Sequence, residues 1–164
     1  MRIKMIKDED FSSYKEVSML IAFPTCNFKC CTDAKRPISM CQNSPIAQLP
    51  DVDIPVADIY ERYRRNVITH SIVCGGLEPI DSMAELCQLI ATFREHGCDD
   101  PFIIYTGYNE DEFDPSWLKS FPNIIVKYGR FIPGQTPHYD ELLGVMLASP
   151  NQYAKKFFDD VQII

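Results

Sequence analysis

The stretch "VSMLIAFPTCNFKCCTDAKRPISMCQN", residues 17–43, opens on an apolar run, Val17–Phe23, that is broken only by Ser18 and ends at Pro24. A run of this length closed by a proline reads as a buried β-strand. Directly after it come Cys26, Cys30, Cys31 and Cys41, four of the chain's seven cysteines. The stretch therefore couples a core strand to a loop crowded with thiols. What could hold those thiols together decides the reading of the whole chain.

Disulfides are the first candidate to test. Met1–Asp10 is charged throughout and has no apolar core of a secretory signal, so the expected compartment is the cytosol. Thiols stay reduced there, and an odd cysteine count also argues against complete pairing. Metal binding or catalysis is left. The 164 residues suit a single domain, 1–164, with a substantial core. Apolar residues at 46% and charged residues at 24% fit an ordinary globular chain, with no run long enough to span a membrane. A net charge of −7 argues against nucleic acid as the main ligand, so neither nucleic acid nor membrane is an expected partner. The short basic run Arg62, Arg64, Arg65 reads as a solvated helix face.

Downstream of the cysteines, strands and helices alternate. Ile54–Asn66 reads as a helix with Val56, Ile59, Tyr60 and Tyr63 on one face, and Ser71–Cys74 as a strand closed by Gly75-Gly76. Ser82 and Glu85 have capping-box spacing ahead of a helix whose stripe is Met83, Leu86, Cys87, Ile90 and Phe93, with Gly97 as its stop. Pro101–Thr106 and Asn123–Lys127 read as strands, and Leu142–Ala148 as a fifth. Asp114 and Pro115 open a short helix carrying Trp117, Leu118 and Phe121, and Glu110–Glu112 reads as a solvated helix start. Such βαβ units predict an α/β fold with a mostly parallel sheet. Ligands of parallel sheets sit at the carboxyl ends of the strands. Those ends carry Cys26 onward, Gly75-Gly76, Thr106-Gly107 and Lys127, four segments on one edge.

Cys26, Cys30, Cys31 and Cys41 could bind zinc as a four-thiolate site, but zinc sites usually come as paired short spacings. Adjacent Cys30 and Cys31 point differently in an extended chain, which favours three ligands and a spare. Thiolates also hold iron–sulfur clusters, and three cysteines on a cubane leave one iron open.

"CNFKC" (26–30) with "CQN" (41–43) resembles an opened-out form of the three-cysteine loop of the radical S-adenosylmethionine enzymes. The resemblance matches Cys26, Cys30 and Cys41 to the cluster ligands, with Cys31 as the alternative third, and Asn43 to the family's following Asn. Ten residues separate Cys30 from Cys41 where the family usually has two, and Met40 stands where it often has an aromatic. "CGGLEP" (74–79) resembles the family's Gly-Gly-Glu-Pro segment with Leu77 inserted, implying that Gly75, Gly76 and Glu78 meet the amino end of the cofactor. "YTGY" (105–108), "GRF" (129–131) and "SPNQ" (149–152) resemble segments of the activating proteins of anaerobic ribonucleotide reductases, so the likeness runs from about Met19 to about Tyr153. Lys127-Tyr128 departs from the acidic residue common before that glycine.

The resemblance implies an open, partial (β/α) barrel with helices outside, a 4Fe-4S cluster, and S-adenosylmethionine held by Asn43, Gly75, Gly76, Glu78, Thr106 and Lys127. The implied reaction is reductive cleavage of that cofactor to methionine and a deoxyadenosyl radical, which abstracts hydrogen. The implied partners are a glycyl-radical enzyme such as an anaerobic ribonucleotide reductase and a low-potential electron donor such as flavodoxin. No acid–base pair is needed, because the cofactors carry the chemistry. Two alternatives stand beside it: a radical enzyme acting on a small molecule or peptide, and a non-enzymatic zinc module built on the same cysteines.

The remaining conspicuous residues read as ordinary. Cys74, Cys87 and Cys98 suit packing, since free cysteine behaves as a small hydrophobe. His70 and His96 sit near element ends, and His138 lies in a late loop without a spaced partner. Lys127 and Arg130 could each meet a carboxylate or be ordinary surface charge, and Trp117 and Phe121 read as core.

Overall fold

The computed structural model describes residues 1–157; residues 158–164, which the one-domain reading includes, lie outside the described residues. In chain order the strands are β1 (Arg2–Ile3), β2 (Met5–Asp10), β3 (Ser18–Phe23), β4 (Val52–Asp53), β5 (Ser71–Gly76), β6 (Phe102–Tyr105), β7 (Ile124–Tyr128), β8 (His138–Asp140), β9 (Val145–Leu147) and β10 (Tyr153–Phe157). The α-helices are α1 (Lys29–Asp33), α2 (Ser44–Ala47), α3 (Val56–Arg65) and α4 (Met83–Glu95). The main sheet has the order β10-β7-β6-β5-β3-β2.

Strands β3, β5, β6 and β7 are parallel neighbours, joined in sequence through α3, α4 and a 3-10 turn at Ser116–Ser120. Both edges run antiparallel, β2 against β3 and β10 against β7. The mostly parallel sheet expected from the sequence is thus corrected to a mixed one. The cause lies in the connections: residues 11–17 between β2 and β3 form no helix, and the β7–β10 link carries a hairpin. A parallel neighbour needs a crossover of a dozen residues or more, usually helical; residues 11–17 are too short for one, and residues 129–152 are long enough but hold no helix. The architecture is α/β with an open, mixed sheet.

Alternation along each strand sorts its residues between two faces. Met19, Ile21, Phe23, Ile72, Cys74, Phe102, Ile104, Ile124, Val126 and Tyr128 share one face with the buried stripes of α3 and α4. Phe93 sits at the centre of this layer, fully buried against Tyr60, Tyr63 and Phe102 with ring centroids 5.2, 5.3 and 5.3 Å away. Val73, Ile103 and Ile125 point to the opposite face, where Tyr14, Leu143 and Leu147 cover them. The same parity sends Gly75 and Lys127 to that second face.

Three further expectations change. The fifth strand, Leu142–Ala148, is β9, and it pairs with β8 in a separate ribbon because the chain reverses within four residues, where Gly144 (φ 72°) donates its N–H to the Asp140 carbonyl at 2.8 Å. Ser82 does precede α4, but its hydroxyl bonds Thr25 Oγ1 at 2.9 Å and makes no cap. Glu110–Glu112 lies in a turn, and the helical turn starts later, where Ser116 N donates to Asp114 Oδ1 at 2.9 Å. The packing assignments hold for Cys74, which is fully buried, and for Trp117 and Phe121, which pack against the helix-side core. Arg62 is paired with Asp8 at 2.6 Å and Arg64 with Glu61 at 2.9 Å, a solvated charged face. No helix among the described residues is long and apolar enough to cross a membrane.

Candidate metal and cofactor site

From Pro24 to Asp51 the chain leaves the sheet and folds over its carboxyl edge, and Cys31 is its only buried residue. Burial cannot therefore be what holds it. The two ends are pinned by polar contacts: Glu78 N donates to the Thr25 carbonyl at 2.7 Å, and Lys4 Nζ donates to the Leu49 carbonyl at 2.7 Å. Between them, α1 starts from Phe28 in the left-handed region (φ 52°), with no side-chain cap. This short helix carries Cys30 and Cys31.

A cavity of about 560 Å³ lies on the second face of the sheet, below this segment. Cys26, Cys30 and Cys41 line it together with Asn43, Gly75, Gly76, Glu78, Thr106 and Lys127. Each residue matched to the cofactor and the three favoured thiols thus reach one space. Cys31 does not line the cavity; it lies behind the wall, with its sulfur and those of Cys30 and Cys41 all within 4.8 Å of one another. Two thiolates on one zinc, with bonds of about 2.3 Å at the tetrahedral angle, stand about 3.8 Å apart, so this trio is near the spacing of a single ion. The donor set is all thiol, which is the chemistry of iron–sulfur groups and of zinc. The close group, which does not include Cys26, could hold one metal ion.

Metal-free, the Cys26 and Cys30 thiols resist ionisation. Burial pushes the Cys26 thiol up to about 11, with the charges of Glu78 and Asp81 adding to it. Burial, then the neighbouring Cys31 and Cys41, push Cys30 up to about 12. A bound metal ion would reverse this, since coordination deprotonates a thiol.

Glu78 is positioned by the turn before it. Gly76 has φ 78°, and a Cβ there would lie 2.6 Å from the Ala22 Cβ and 2.8 Å from its Cα, so only glycine fits. The carboxylate that follows is nearly buried and accepts from Ile80 N at 3.1 Å and Gly107 N at 2.8 Å. Burial raises its pKa to about 7 in spite of those hydrogen bonds. Lys127 is 6% exposed, and its Nζ donates to the Gly129 carbonyl at 2.9 Å and lies 5.9 Å from the Tyr105 ring centroid. Burial lowers its pKa to about 8, with the charges of Glu78 and Cys30 opposing the fall. One end of the cavity thus offers an anionic acceptor and a buried cation. Apolar side chains, among them Leu20, Val73, Phe131, Val145 and Leu147, also line the cavity.

Several site residues carried no sequence signal. Asn27 Nδ2 donates to Tyr108 Oη at 2.7 Å, and that hydroxyl donates to Asp81 Oδ1 at 2.7 Å, tying the cysteine segment to two other loops. Arg130, for which the sequence leaves surface charge and a carboxylate contact open, is only 13% exposed at its side chain and pairs with Asp33 and Glu112. His138 lies on β8 and does not line the cavity, while His96 caps α4. Compared with family models, with curated proteins and with solved structures, the chain finds no match in any of the three.

Proposed function

We infer that the chain is an iron–sulfur enzyme that reductively cleaves S-adenosylmethionine and installs a glycyl radical on a protein such as an anaerobic ribonucleotide reductase. The observation that carries this reading is the single cavity shared by Cys26, Cys30 and Cys41 with Asn43, Gly75, Gly76, Glu78, Thr106 and Lys127. In this reading the three thiolates hold a 4Fe-4S cluster, whose chemistry when bound is one-electron reduction of the sulfonium. Glu78 accepts from the cofactor's ammonium, the backbone of Gly75 and Gly76 lets it approach, and Lys127 meets its carboxylate. Thr106 and Asn43 supply neutral hydrogen-bonding groups on either side.

The strand order supports the open, partial (β/α) barrel: β3, β5, β6 and β7 are added in one direction, with both crossover helices on the same face. An open flank suits a macromolecular substrate, and the reaction calls for a cytosolic setting and a low-potential donor such as flavodoxin. A second reading is favoured by one observation, the close approach of the Cys30, Cys31 and Cys41 sulfurs, which suits a single zinc ion in a non-enzymatic module.

Anaerobic reconstitution separates the two. The expected result is a brown protein holding iron and sulfide, which releases methionine from S-adenosylmethionine and, with the reductase added, gives a glycyl radical signal by electron paramagnetic resonance. Stoichiometric zinc without iron would overturn it.

A further inference from the structure

We propose that Arg130 is a positioning residue that, with Asp33, Glu112 and Lys29, forms an ionic clasp holding α1 and its cysteines in place for metal. The network joins three segments that are far apart in sequence. Arg130 Nε lies 3.0 Å from Asp33 Oδ2 at the end of α1, and Arg130 Nη2 donates to Glu112 Oε1 in the turn after β6. Lys29 Nζ, at the start of α1, donates to the same Glu112 oxygen at 2.6 Å, while Asn109 N holds the other oxygen at 2.9 Å. Two cations and two carboxylates balance, and both ends of the five-residue helix are gripped.

The need for such a grip follows from burial. Cys31 is the only buried residue of α1, so apolar packing supplies little to fix the direction in which Cys30 points. Ion pairs with half-exposed members are individually weak, yet a network with a shielded centre is worth more than isolated pairs. Arg130 and Glu112 form that centre, at 13% and 19% side-chain exposure, whereas Lys29 and Asp33 are near half exposure. The same arginine lines the cavity beside Cys30, so the clasp ends where the thiolates begin. Its two carboxylates do not line the cavity, and substituting them leaves the cavity wall intact.

This inference rests on the reading of the cysteines as metal ligands, and its test does not depend on which metal is native. Co²⁺ titrated anaerobically into the reduced, full-length chain reports binding through its thiolate charge-transfer band. Arg130→Gln and Asp33→Asn are each expected to weaken Co²⁺ binding about tenfold, a loss comparable to that on removing a supporting partner of a metal ligand. The urea midpoint of the metal-free protein should fall only slightly, because Lys29 and Asp33 are half-exposed and such pairs are weak. The conservative Arg130→Lys, which keeps a cation between the two carboxylates, should recover most of the affinity that Arg130→Gln loses, which no loss of mere bulk would explain. Raising salt should weaken binding in the unsubstituted chain and less so in Asp33→Asn. Equal Co²⁺ affinity in all variants, or a loss as large in Arg130→Lys as in Arg130→Gln, overturns the clasp. Tight Co²⁺ binding and recovery in Arg130→Lys, in a protein that takes up no iron, would leave the clasp standing and remove the radical chemistry.

Discussion

The helix side of the sheet and the cysteine segment are held by different forces. On the helix side, Phe93, Leu86, Leu89, Ile90 and Ile59 are fully buried against the apolar face of four parallel strands. Between Pro24 and Asp51, one cysteine is buried and the rest is fastened by hydrogen bonds and ion pairs. The first arrangement is rigid without help. The second can yield to a ligand, and ligand-binding segments are drawn from such parts of a fold.

The largest expected effect lies on the rigid side. Phe93→Ala should cost about 3–5 kcal/mol, because it leaves a cavity between three aromatic rings. Urea unfolding would measure it, and a loss under about 1 kcal/mol would mean that the layer is loosely packed.

Glu78 stands at the border of the two regions. Its pKa is raised from 4.5 to about 7, so the native state keeps a proton that the unfolded chain has released. Stability from this group is fully present below about 4.5 and is lost as pH rises to about 7, by roughly 3 kcal/mol at most. Glu78→Gln should flatten that slope between pH 5 and pH 8 and weaken cofactor binding about tenfold or more. An unchanged slope would mean that Glu78 is solvated in the native state.

Within the cysteine segment, Cys41→Ala should change metal-free stability by less than about 1 kcal/mol, because the residue is only half-buried. It should nevertheless abolish cluster loading, while Cys31→Ala keeps it. The opposite pattern of iron content would move the third ligand to Cys31 and favour the trio with close sulfurs.

The smallest effect belongs to Glu112. Hydrogen bonds from Arg130 and then Lys29 hold its carboxyl down to about 2, so its contribution is present above about 4.5 and disappears as pH falls towards 2. A shallow acid transition seen by exchange of α1 amides, and missing in Glu112→Gln, is the expected signature.

Burial also explains what was legible in the sequence. The parallel strands are runs such as "IIVKY" and "SIVCGG", whose apolar content follows from their being covered on both faces. Because glycines and cysteines stand at the ends of those runs, the site edge could be read with them. The edge strands could not: "MIKDED" and "YAKKF" are charged, as suits strands with an open side. The Ser82 hydroxyl was misread because capping spacing says nothing of a competing partner 57 residues away. The clasp was invisible for a similar reason, since ion pairs between distant segments leave no periodicity in a sequence.

The anchoring of both ends of the cysteine segment, at Thr25 and at Leu49, frees the stretch between Cys30 and Cys41 from any duty to span a fixed gap. Closing a flexible loop costs only about 0.6 kcal/mol more for each doubling of its length, so this spacer is where extra or fewer residues are cheapest. Its ten residues can thus change in number at little cost to the fold.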